Sequence, residues 1–377
     1  MKIDYAIREK CVINGSELEI LSSKLFPLFC GCVDTPQEED LICEQEFAIS
    51  KEGVIQLTKL IPLDLLYANG HDAGSVGTLW EEHHTEFAKF ILSKEVKNVL
   101  EIGGGHGKLS QNCLATKKIR WTIVEPNPTH RYDNVVYVDN FFSKELFQNE
   151  KFDTVVHSHT FEHIYNPHHF LQEVSSVLVG GGGGKMLFSL PNMQKWLESK
   201  FTNCLNFEHT ILLSEAVLEF LFAKHQFRLI DKHYFKDHSI FYYLQKDSTI
   251  QEITLKNEYH KNKKMFLDLY EYYEKQIAYL NNILRKSTKE IYLFGAHLFG
   301  QFLIFNGLDI SRISCILDNN PTKQGRRLYG TSLFVKSPKI LKDKKDALVI
   351  LNAGIYNDEI KKDIIENINN KVEIINF

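Results

Sequence analysis

The sequence predicts an α/β protein built on a doubly wound parallel sheet, with a small N-terminal module before it and a second, smaller α/β domain after it. After residue 92, short apolar, β-branched segments alternate with helical segments, which is typical of parallel strands joined by crossover helices. This alternation gives way to an amphipathic segment at residues 252–286 and restarts at residue 290. The length of 377 residues suits two or three domains.

The composition excludes several classes of protein. The net charge is -4, so the chain lacks the basic surface of a general nucleic-acid-binding protein. No apolar run approaches the roughly 18 residues of a membrane span, and the first ten residues, MKIDYAIREK, do not form a signal peptide. The seven cysteines are odd in number and scattered, which favours a reducing compartment. We therefore expect a cytoplasmic protein that binds neither nucleic acid nor membrane.

The first 60 residues differ from the rest of the chain. They are turn-rich and hold four of the cysteines, namely Cys11, Cys30, Cys32 and Cys43. We therefore expect a small irregular module over residues 1–60. Beyond it, apolar residues at helical spacing predict a helix at residues 80–92. A second helix is expected at residues 214–225, with Ser214 as its N-cap.

Four segments of the central region are typical of strands, because they are apolar, β-branched and bounded by Gly, Pro or polar turns. Their sequences are VKNVLEIG, IRWTIVEP, FDTVVHSH and GKMLFSLP. Three similar segments follow the amphipathic segment: EIYLFGAHLFGQFLIF, ISCILDNN and ALVILNAG. The predicted domains are therefore a core over residues 61–250, a helical linker over 251–288 and a C-terminal α/β domain over 289–377.

A glycine-rich loop follows the first central strand and is the strongest local signal. Gly103, Gly105 and Gly107 form G-x-G-x-G between a strand that ends at Ile102 and a helix that begins near Lys108. Such glycines let the backbone turn sharply and let a ligand lie against main-chain N–H groups. The pattern alone fits a dinucleotide or an adenosyl cofactor. A P-loop is excluded because no Gly-Lys-Ser/Thr follows.

Two acidic residues favour S-adenosylmethionine. Glu101 lies at the strand end, two residues before the first glycine, where a carboxylate suits a cationic amino-acid group better than a pyrophosphate. Glu125 ends the next strand, where an acidic side chain can accept both ribose hydroxyls. We therefore expect Glu101 to meet the amino group of the cofactor and Glu125 its ribose. The alternative is a glycine-rich turn without a ligand.

The residues around this loop resemble a class I S-adenosylmethionine-dependent methyltransferase. The resemblance covers Leu100–Gly107 and the segment FDTVVHSHTFEHIYNPHHFLQEVSSVL, which is similar to the family's fourth strand and following helix. It implies a class I methyltransferase doubly wound sheet, and we also place His159 in the cofactor-binding set. The same segment contains H-x-x-E-H, the signature of an inverted zinc protease. The glycine loop has no role in such a protease and argues against it.

A narrower resemblance extends the match over most of the chain. Residues 295–338, GAHLFGQFLIFNGLDISRISCILDNNPTKQGRRLYGTSLFVKSP, look like the C-terminal domain of the C-methyltransferases that act on nucleotide-linked 4-keto-deoxysugars. The strand ALVILNAGIYNDEI is also similar. The resemblance implies a small N-terminal zinc module, a class I core and a second, Rossmann-like C-terminal domain.

In that family a Tyr-His-Glu-His segment supplies the catalytic base. Glu208 and His209 match its Glu and last His, whereas Asn206 and Phe207 replace the other two residues. A histidine held by a carboxylate has a pKa near operating pH and suits removal of a proton beside a ketone. The alternative is that His209 only caps or packs the next helix. His163 matches a histidine that the family keeps after the fourth strand.

The resemblance also implies contacts on either side of the core. Tyr67 matches an aromatic residue that precedes the core and lies over the methionine end of the cofactor. The active-site cleft is expected between the core and the C-terminal domain. There Lys323, Arg326 and Arg327 could meet a diphosphate, or could form a solvated basic loop.

This sequence departs furthest from the family's pattern in the N-terminal zinc module. The family uses two C-x-x-C pairs, but Asn14 stands at the second position of the first pair, which begins at Cys11. Ile49 and Glu52 stand where the second pair is expected. The remaining cysteines have no standard zinc spacing. We therefore expect that zinc has been lost and that the chain has no metal site.

The sequence leaves three functions to be separated. The favoured function is S-adenosylmethionine-dependent C-methylation of a nucleotide sugar or related carbohydrate. An O- or N-methyltransferase on the same scaffold is the alternative, because two of the four catalytic motif positions have changed. A non-catalytic scaffold is the third, and the intact glycine loop argues against it.

Overall fold

The computed structural model describes residues 3–67 and 77–376. Its strands are, in chain order, β1 (Ala6–Ile7), β2 (Leu18–Pro27), β3 (Cys32–Val33), β4 (Ile42–Ser50), β5 (Ile55–Leu57), β6 (Lys59–Leu60), β7 (Asn98–Ile102), β8 (Arg120–Val124), β9 (Val136–Val138), β10 (Thr154–Ser158), β11 (Lys185–Pro191), β12 (Ile211–Leu212), β13 (Phe227–Phe235), β14 (Ser239–Lys246), β15 (Glu290–Phe294), β16 (Ile313–Leu317), β17 (Arg327–Leu328), β18 (Val335–Lys336), β19 (Ala347–Leu351) and β20 (Glu373–Asn376).

The helices connect these strands. They are α1 (Leu63–Leu66), α2 (Thr78–Leu92), α3 (Lys108–Leu114), α4 (Pro167–Val177), α5 (Met193–Glu198), α6 (Glu215–Lys224), α7 (Tyr259–Lys286), α8 (Leu298–Phe305) and α9 (Asn357–Asp363). The helix predicted at residues 80–92 is confirmed as α2. Ser214 caps α6 as expected, because its side chain accepts a hydrogen bond from the Val217 N–H. Among the described residues no helix is both long and apolar enough to cross a membrane.

The N-terminal module is a sheet, so the expectation of an irregular module was wrong. Within the described part of the chain, β2, β4 and β5 form an antiparallel sheet, which β12 of the core extends in the order β12-β5-β4-β2. The signal was alternation in β4, where Cys43, Gln45 and Phe47 are buried and the residues between them are partly exposed. Alternation of this kind is typical of a half-buried strand rather than of turns.

The central sheet is doubly wound, as predicted. Among the described strands its order is β13-β14-β11-β10-β7-β8-β9, and all neighbours from β11 to β9 are parallel. Strand β14 runs antiparallel to β11. The chain leaves β7 towards β8 and returns on its other side at β10. The carboxyl ends of β7 and β10 therefore flank a topological switch point, where ligands bind in open α/β sheets.

The C-terminal sheet is a second, smaller parallel sheet with its own switch point. In the described residues its order is β18-β16-β15-β19-β20. The first strand, β15, lies between β16 and β19, so the loop after Phe294 again opens at a change of direction. Strand β17 leaves this domain and pairs with β3 of the N-terminal module. The expected Rossmann-like C-terminal arrangement is therefore present.

The segment predicted as a helical linker is a single 28-residue helix, α7, that is packed into the core. Its buried stripe includes Phe266, Leu269, Tyr273 and Leu280. These side chains share one hydrophobic cluster with residues of the N-terminal module and of the C-terminal sheet. Because burial of large apolar side chains is the main favourable term in packing, α7 holds the module and the C-terminal sheet together.

Candidate active site

A cleft with a volume of about 1460 Å³ opens where the two switch points face each other. The glycine loop after β7 lines one side of it, and residues of the C-terminal sheet, among them His297, Phe299 and Lys323, line the other. Ligand pockets usually measure about 300–1,000 Å³, so this cleft has room for two ligands at once. Of the residues predicted to bind the cofactor or to take part in catalysis, all but Gly107 line it: Tyr67, Glu101, Gly103, Gly105, Glu125, His159, His163, Glu208 and His209.

The three glycines of the loop all have positive φ, which explains why glycine stands there. They differ in what surrounds them. A Cβ added to Gly103 would lie 2.8 Å from Thr160 Oγ1, whereas one added to Gly105 would meet no atom within 4 Å. Gly105 therefore leaves open space on the cleft side of the loop. Gly107 is the N-cap of α3 and packs against two tyrosines, so its role is to start the helix.

The two predicted carboxylates lie at adjacent strand ends. Glu101 is buried and its Oε2 accepts a hydrogen bond of 2.7 Å from Trp121 Nε1. Burial raises the pKa of Glu101 to about 8, while the Trp121 bond opposes the rise. Glu125 accepts from the backbone N–H of Gly105 at 3.3 Å and of Asn127 at 3.1 Å. This carboxylate therefore also fixes the glycine loop, a role the sequence did not reveal.

His159 belongs to a group of packed histidines beside the cleft, the histidine wall, which was not predicted from the sequence. Its members are His83, His84, His159 and His238. His159 follows β10 with φ of 51°, and its Nε2 lies 2.9 Å from Ser239 Oγ. Its ring packs against Trp80 at 4.8 Å and His238 at 5.6 Å between ring centroids. His84 of α2 lines the same side of the cleft. The signal was the pair of adjacent histidines in WEEHHTEF, which we read only as part of an amphipathic helix.

The H-x-x-E-H segment does not form a zinc-protease helix. Residues Phe161–His163 make one 3-10 turn after β10, so His159 and His163 do not share an α-helical face. His163 instead points towards the cleft, with Nδ1 at 3.4 Å from Tyr67 Oη and 3.7 Å from Glu208 Oε2. The structure thus brings three predicted residues, Tyr67, His163 and Glu208, into one group.

His209 lies next to this group, 5.3 Å from His163 between ring centroids. Its Nδ1 is 3.3 Å from the carbonyl oxygen of Cys204. The Glu208 carboxylate lies 3.7 Å from His163 Nδ1, and the expectation that Glu208 orients His209 stays a prediction. Asn206, which replaces the family's tyrosine, has a local role: its Oδ1 accepts from the backbone N–H of both Glu208 and His209 at 2.8 Å.

One group of side chains in the described residues is close enough to hold a metal ion. It consists of Glu162, His163 and His209, whose ligand atoms lie within 4.8 Å of one another. This spacing exceeds the about 3.4 Å between ligands bound at 2.0–2.1 Å, so the group would have to contract around an ion. No metal site was predicted from the sequence, because these three side chains come together only in the fold.

Asn14 and Glu52, which stand at two positions of the family's zinc site, take part in one hydrogen-bonded network instead of offering zinc ligands. Glu52 Oε2 accepts from Ser16 Oγ at 2.7 Å and from Ser50 Oγ at 3.3 Å. Asn14 Oδ1 accepts from Ser16 Oγ at 2.9 Å. Burial raises the pKa of the neighbouring Cys11 thiol, which disfavours the thiolate that zinc needs. The loss of zinc stays a prediction.

The basic residues of the C-terminal domain divide into two kinds. Lys323 and Arg326 line the cleft, and Arg326 Nε donates to Asp34 at 3.0 Å. Arg327 is buried and forms a bidentate pair with Asp40, with Nη2 at 2.8 Å from Oδ1. The expectation that Arg327 could meet a diphosphate was therefore wrong. It instead joins the C-terminal domain to the N-terminal module.

Two family models match the chain. Residues 77–232 match a methyltransferase domain. Residues 245–376 match a C-methyltransferase C-terminal domain, so this match includes the long helix α7. The chain is a methyltransferase. The class of enzyme predicted from the sequence is confirmed. None of the curated proteins matches the chain.

Several solved structures are similar to about half of this methyltransferase. The O-methyltransferase family protein from Burkholderia thailandensis has 11% identity and a TM-score of 0.39, over 50% of this chain and 61% of that one. The N-methyltransferase NodS from Bradyrhizobium japonicum has 17% identity and a TM-score of 0.35, over 45% and 88%. The CurJ carbon methyltransferase has 13% identity and a TM-score of 0.36, over 45% and 55%. Likenesses of this size indicate nothing about which atom is methylated.

Proposed function

We propose that this methyltransferase uses S-adenosylmethionine to methylate a carbon beside the keto group of a nucleotide-linked sugar. The observation that carries the cofactor assignment is the open face of Gly105 between two carboxylates at adjacent strand ends. S-adenosylmethionine supplies the methyl group when bound. Glu101 would hold its ammonium group and Glu125 its ribose hydroxyls, because these acids end β7 and β8 at the switch point.

Removal of the acceptor's proton is assigned to His209. In the neutral tautomer that donates Nδ1–H to the Cys204 carbonyl, Nε2 is the basic nitrogen. The Asn206 turn fixes the backbone of His209, and the buried setting limits the motion of the ring. His163, paired with Glu208, would hold the acceptor's oxygen as charge develops on it. Tyr67 donates towards His163 or the acceptor from the same group.

The sugar part of the proposal depends on the C-terminal domain. That domain matches the C-methyltransferase C-terminal family model, and its switch point lies across the cleft from the glycine loop. Lys323 and Arg326 line the cleft there and would meet the diphosphate of the acceptor. The seven cysteines are odd in number and scattered along the chain, which suits a reducing compartment, so we place the enzyme in the cytoplasm.

O- or N-methylation is the second candidate, because Asn206 and Phe207 do not supply the tyrosine and first histidine of the family's motif. A proton-exchange experiment separates the two. With S-adenosylhomocysteine in place of S-adenosylmethionine, an enzyme that methylates carbon should exchange the acceptor's α-proton with deuterated solvent. Turnover of pooled nucleotide sugars without such exchange, followed by mass spectrometry, would contradict C-methylation and favour oxygen or nitrogen.

A further inference from the structure

His84 is a buried histidine at the cleft whose bonding is incomplete. It lies on α2, is 7% exposed and lines the cleft beside the glycine loop. Within residues 3–67 and 77–376, neither of its ring nitrogens has a hydrogen-bond partner. The other histidines of this wall differ: His83, His159 and His238 each have a ring nitrogen within 2.9 Å of a serine hydroxyl.

A buried polar group without a partner is costly, so such groups in folded proteins are nearly always paired by protein, water or ligand. His84 faces the cleft, and its missing partner can therefore come from a bound molecule. The pKa of His84 is lowered to about 4, mainly by burial and to a smaller extent by His106, Lys108 and His238. The ring is neutral near pH 7 and offers one N–H donor, and the nearby Lys108 side chain favours an acceptor with negative charge.

The order of the strands identifies the part of the cofactor that lies nearest. The ribose is placed at Glu125 after β8, and the amino-acid end at Glu101 of β7. His84 lies on the β7 side, because its ring is 6.0 Å from His106 of the glycine loop, between centroids, and because His238 of the β13–β14 turn acts on it. The amino-acid end carries a carboxylate as well as an ammonium group, and Glu101 can satisfy only the latter.

We propose that His84 donates a hydrogen bond to the α-carboxylate of S-adenosylmethionine and so selects the intact amino-acid end of the cofactor. This inference rests on the proposed cofactor. The Trp80 ring, 5.9 Å from that of His84 between centroids, keeps the imidazole in place. His84 is a positioning and specificity residue, because it acts at a group remote from the transferred methyl.

The test compares two ligands that differ in the amino-acid end. S-adenosylhomocysteine carries the carboxylate, whereas 5′-methylthioadenosine has the same nucleoside and a thioether but lacks it. Calorimetric titration of the full chain with each ligand should show that His84→Phe weakens S-adenosylhomocysteine binding by about ten- to a hundredfold, the usual value of a hydrogen bond to a charged group. Its affinity for 5′-methylthioadenosine should stay within about twofold, and His84→Gln, which keeps a donor, should recover most of the loss.

His157→Phe is the matched control. His157 is also buried with both ring nitrogens unpaired among the described residues, but it stacks on Phe188 within the core and does not line the cleft. Its replacement should leave both affinities unchanged. Equal weakening of both ligands by His84→Phe, or no weakening, would overturn the inference while leaving the cofactor assignment intact. Failure of the wild type to bind either ligand would instead overturn the assignment itself.

Discussion

The central sheet and the C-terminal sheet use the same local plan at their switch points. In each, a glycine loop follows the first strand and an acid follows the second. Glu125 accepts from the backbone N–H of Gly105 at 3.3 Å, and Asp318 accepts from that of Ala296 at 2.9 Å. In each case the same acid also accepts from the N–H two residues after it. The acid of such a pair therefore shapes the loop even before any ligand is considered.

The two loops differ in what they leave open. The first has three glycines and faces the cleft with bare backbone at Gly105. The second turns directly into α8, where Leu298 and Phe299 line the cleft and Gly300 packs so closely that a Cβ would lie 2.4 Å from the Gly295 carbonyl oxygen. Topology alone thus does not predict a ligand. In the proposed function, the side chains at each switch point place the cofactor at the first sheet and the acceptor at the second.

The largest effect is expected at the base beside the first sheet. His209→Asn should lower kcat by about 10²- to 10⁴-fold, because a positioned base contributes that much. The affinity for the cofactor should stay within a few-fold of wild type, because His209 lies beside Tyr67, His163 and Glu208 and not at the glycine loop. Steady-state kinetics and calorimetry measure the two quantities separately.

Two outcomes would break this assignment. Full activity of His209→Asn would mean that the Asn206 turn and its histidine only form the entry to α6, and His163 would become the candidate base. Glu208→Gln should do less harm than His209→Asn, because it removes the charge beside His163 and leaves both imidazoles. The reverse order would show that the Glu208–His163 pair carries the proton.

The next effect concerns how the second sheet is held. Arg327→Met would leave the Asp40 side chain, 2% exposed, without its bidentate partner. Removing one member of a buried ion pair costs about 3–5 kcal/mol, so the free energy of unfolding should fall by that amount in urea titrations. The double variant Arg327→Met/Asp40→Leu should regain most of it. Equal stability of Arg327→Met and wild type would show that α7 and the β3–β17 pairing join the second sheet to the module without help from this ion pair.

Glu101, the buried acid within β7 of the central sheet, should make the stability of the protein depend on pH. Its pKa of about 8 lies above the ordinary 4.5, so the unfolded chain binds fewer protons than the folded chain between these values. Stability should therefore fall as pH rises from about 5 to 8. Glu101→Gln should remove this fall and melt at a higher temperature than wild type at pH 8, while losing about tenfold in S-adenosylmethionine affinity.

The matching outcome at low pH serves as the control. At about pH 4 the wild type and Glu101→Gln should melt at similar temperatures, since the wild-type carboxyl is then largely protonated in both the folded and the unfolded chain. A Glu101→Gln variant that is less stable than wild type at pH 8 would show that the carboxylate, not the acid, is the form that the fold stabilises.

The smallest effect is expected on the acceptor side. Lys323→Ala should raise KM for a nucleotide sugar about two- to fivefold, because a partly exposed contact to phosphate contributes up to about 1 kcal/mol. Affinity for S-adenosylmethionine should not change, since the glycine loop lies on the opposite side of the cleft. A change confined to cofactor affinity would reverse the roles given to the two sheets.

Much of this division was visible in the sequence. The glycine loop, the two acids and the strand alternation are local patterns, and local patterns specify switch points. The N-terminal sheet was not predicted because the many turn residues of this region obscure the alternation of buried and exposed residues in β4. Arg327 and Lys323 could not be told apart, because the burial of one and the exposure of the other depend on how the module packs against β17.

The contacts of the side chains assigned to catalysis could not be predicted from the sequence either. The structure places the Glu208 carboxylate 3.7 Å from His163, which is 45 residues away along the chain. The histidine wall joins α2, β10 and the β13–β14 turn, so its members come from three distant segments. The spacing of residues along the sequence does not predict contacts between segments so far apart.

Calorimetric titration with S-adenosylmethionine of one matched pair, Gly105→Val and Gly295→Val, tests the roles of the two sheets most directly. Both glycines have positive φ, and a Cβ on either would meet no atom within 4 Å. Both variants therefore carry backbone strain, and the larger strain falls on the control Gly295→Val, because φ is 108° at Gly295 and 46° at Gly105. Wild type and Gly295→Val should bind one molecule per chain with similar affinity, whereas Gly105→Val should lose at least about a hundredfold. Unchanged binding by Gly105→Val, or a loss confined to Gly295→Val, would contradict the placement of the cofactor on the central sheet.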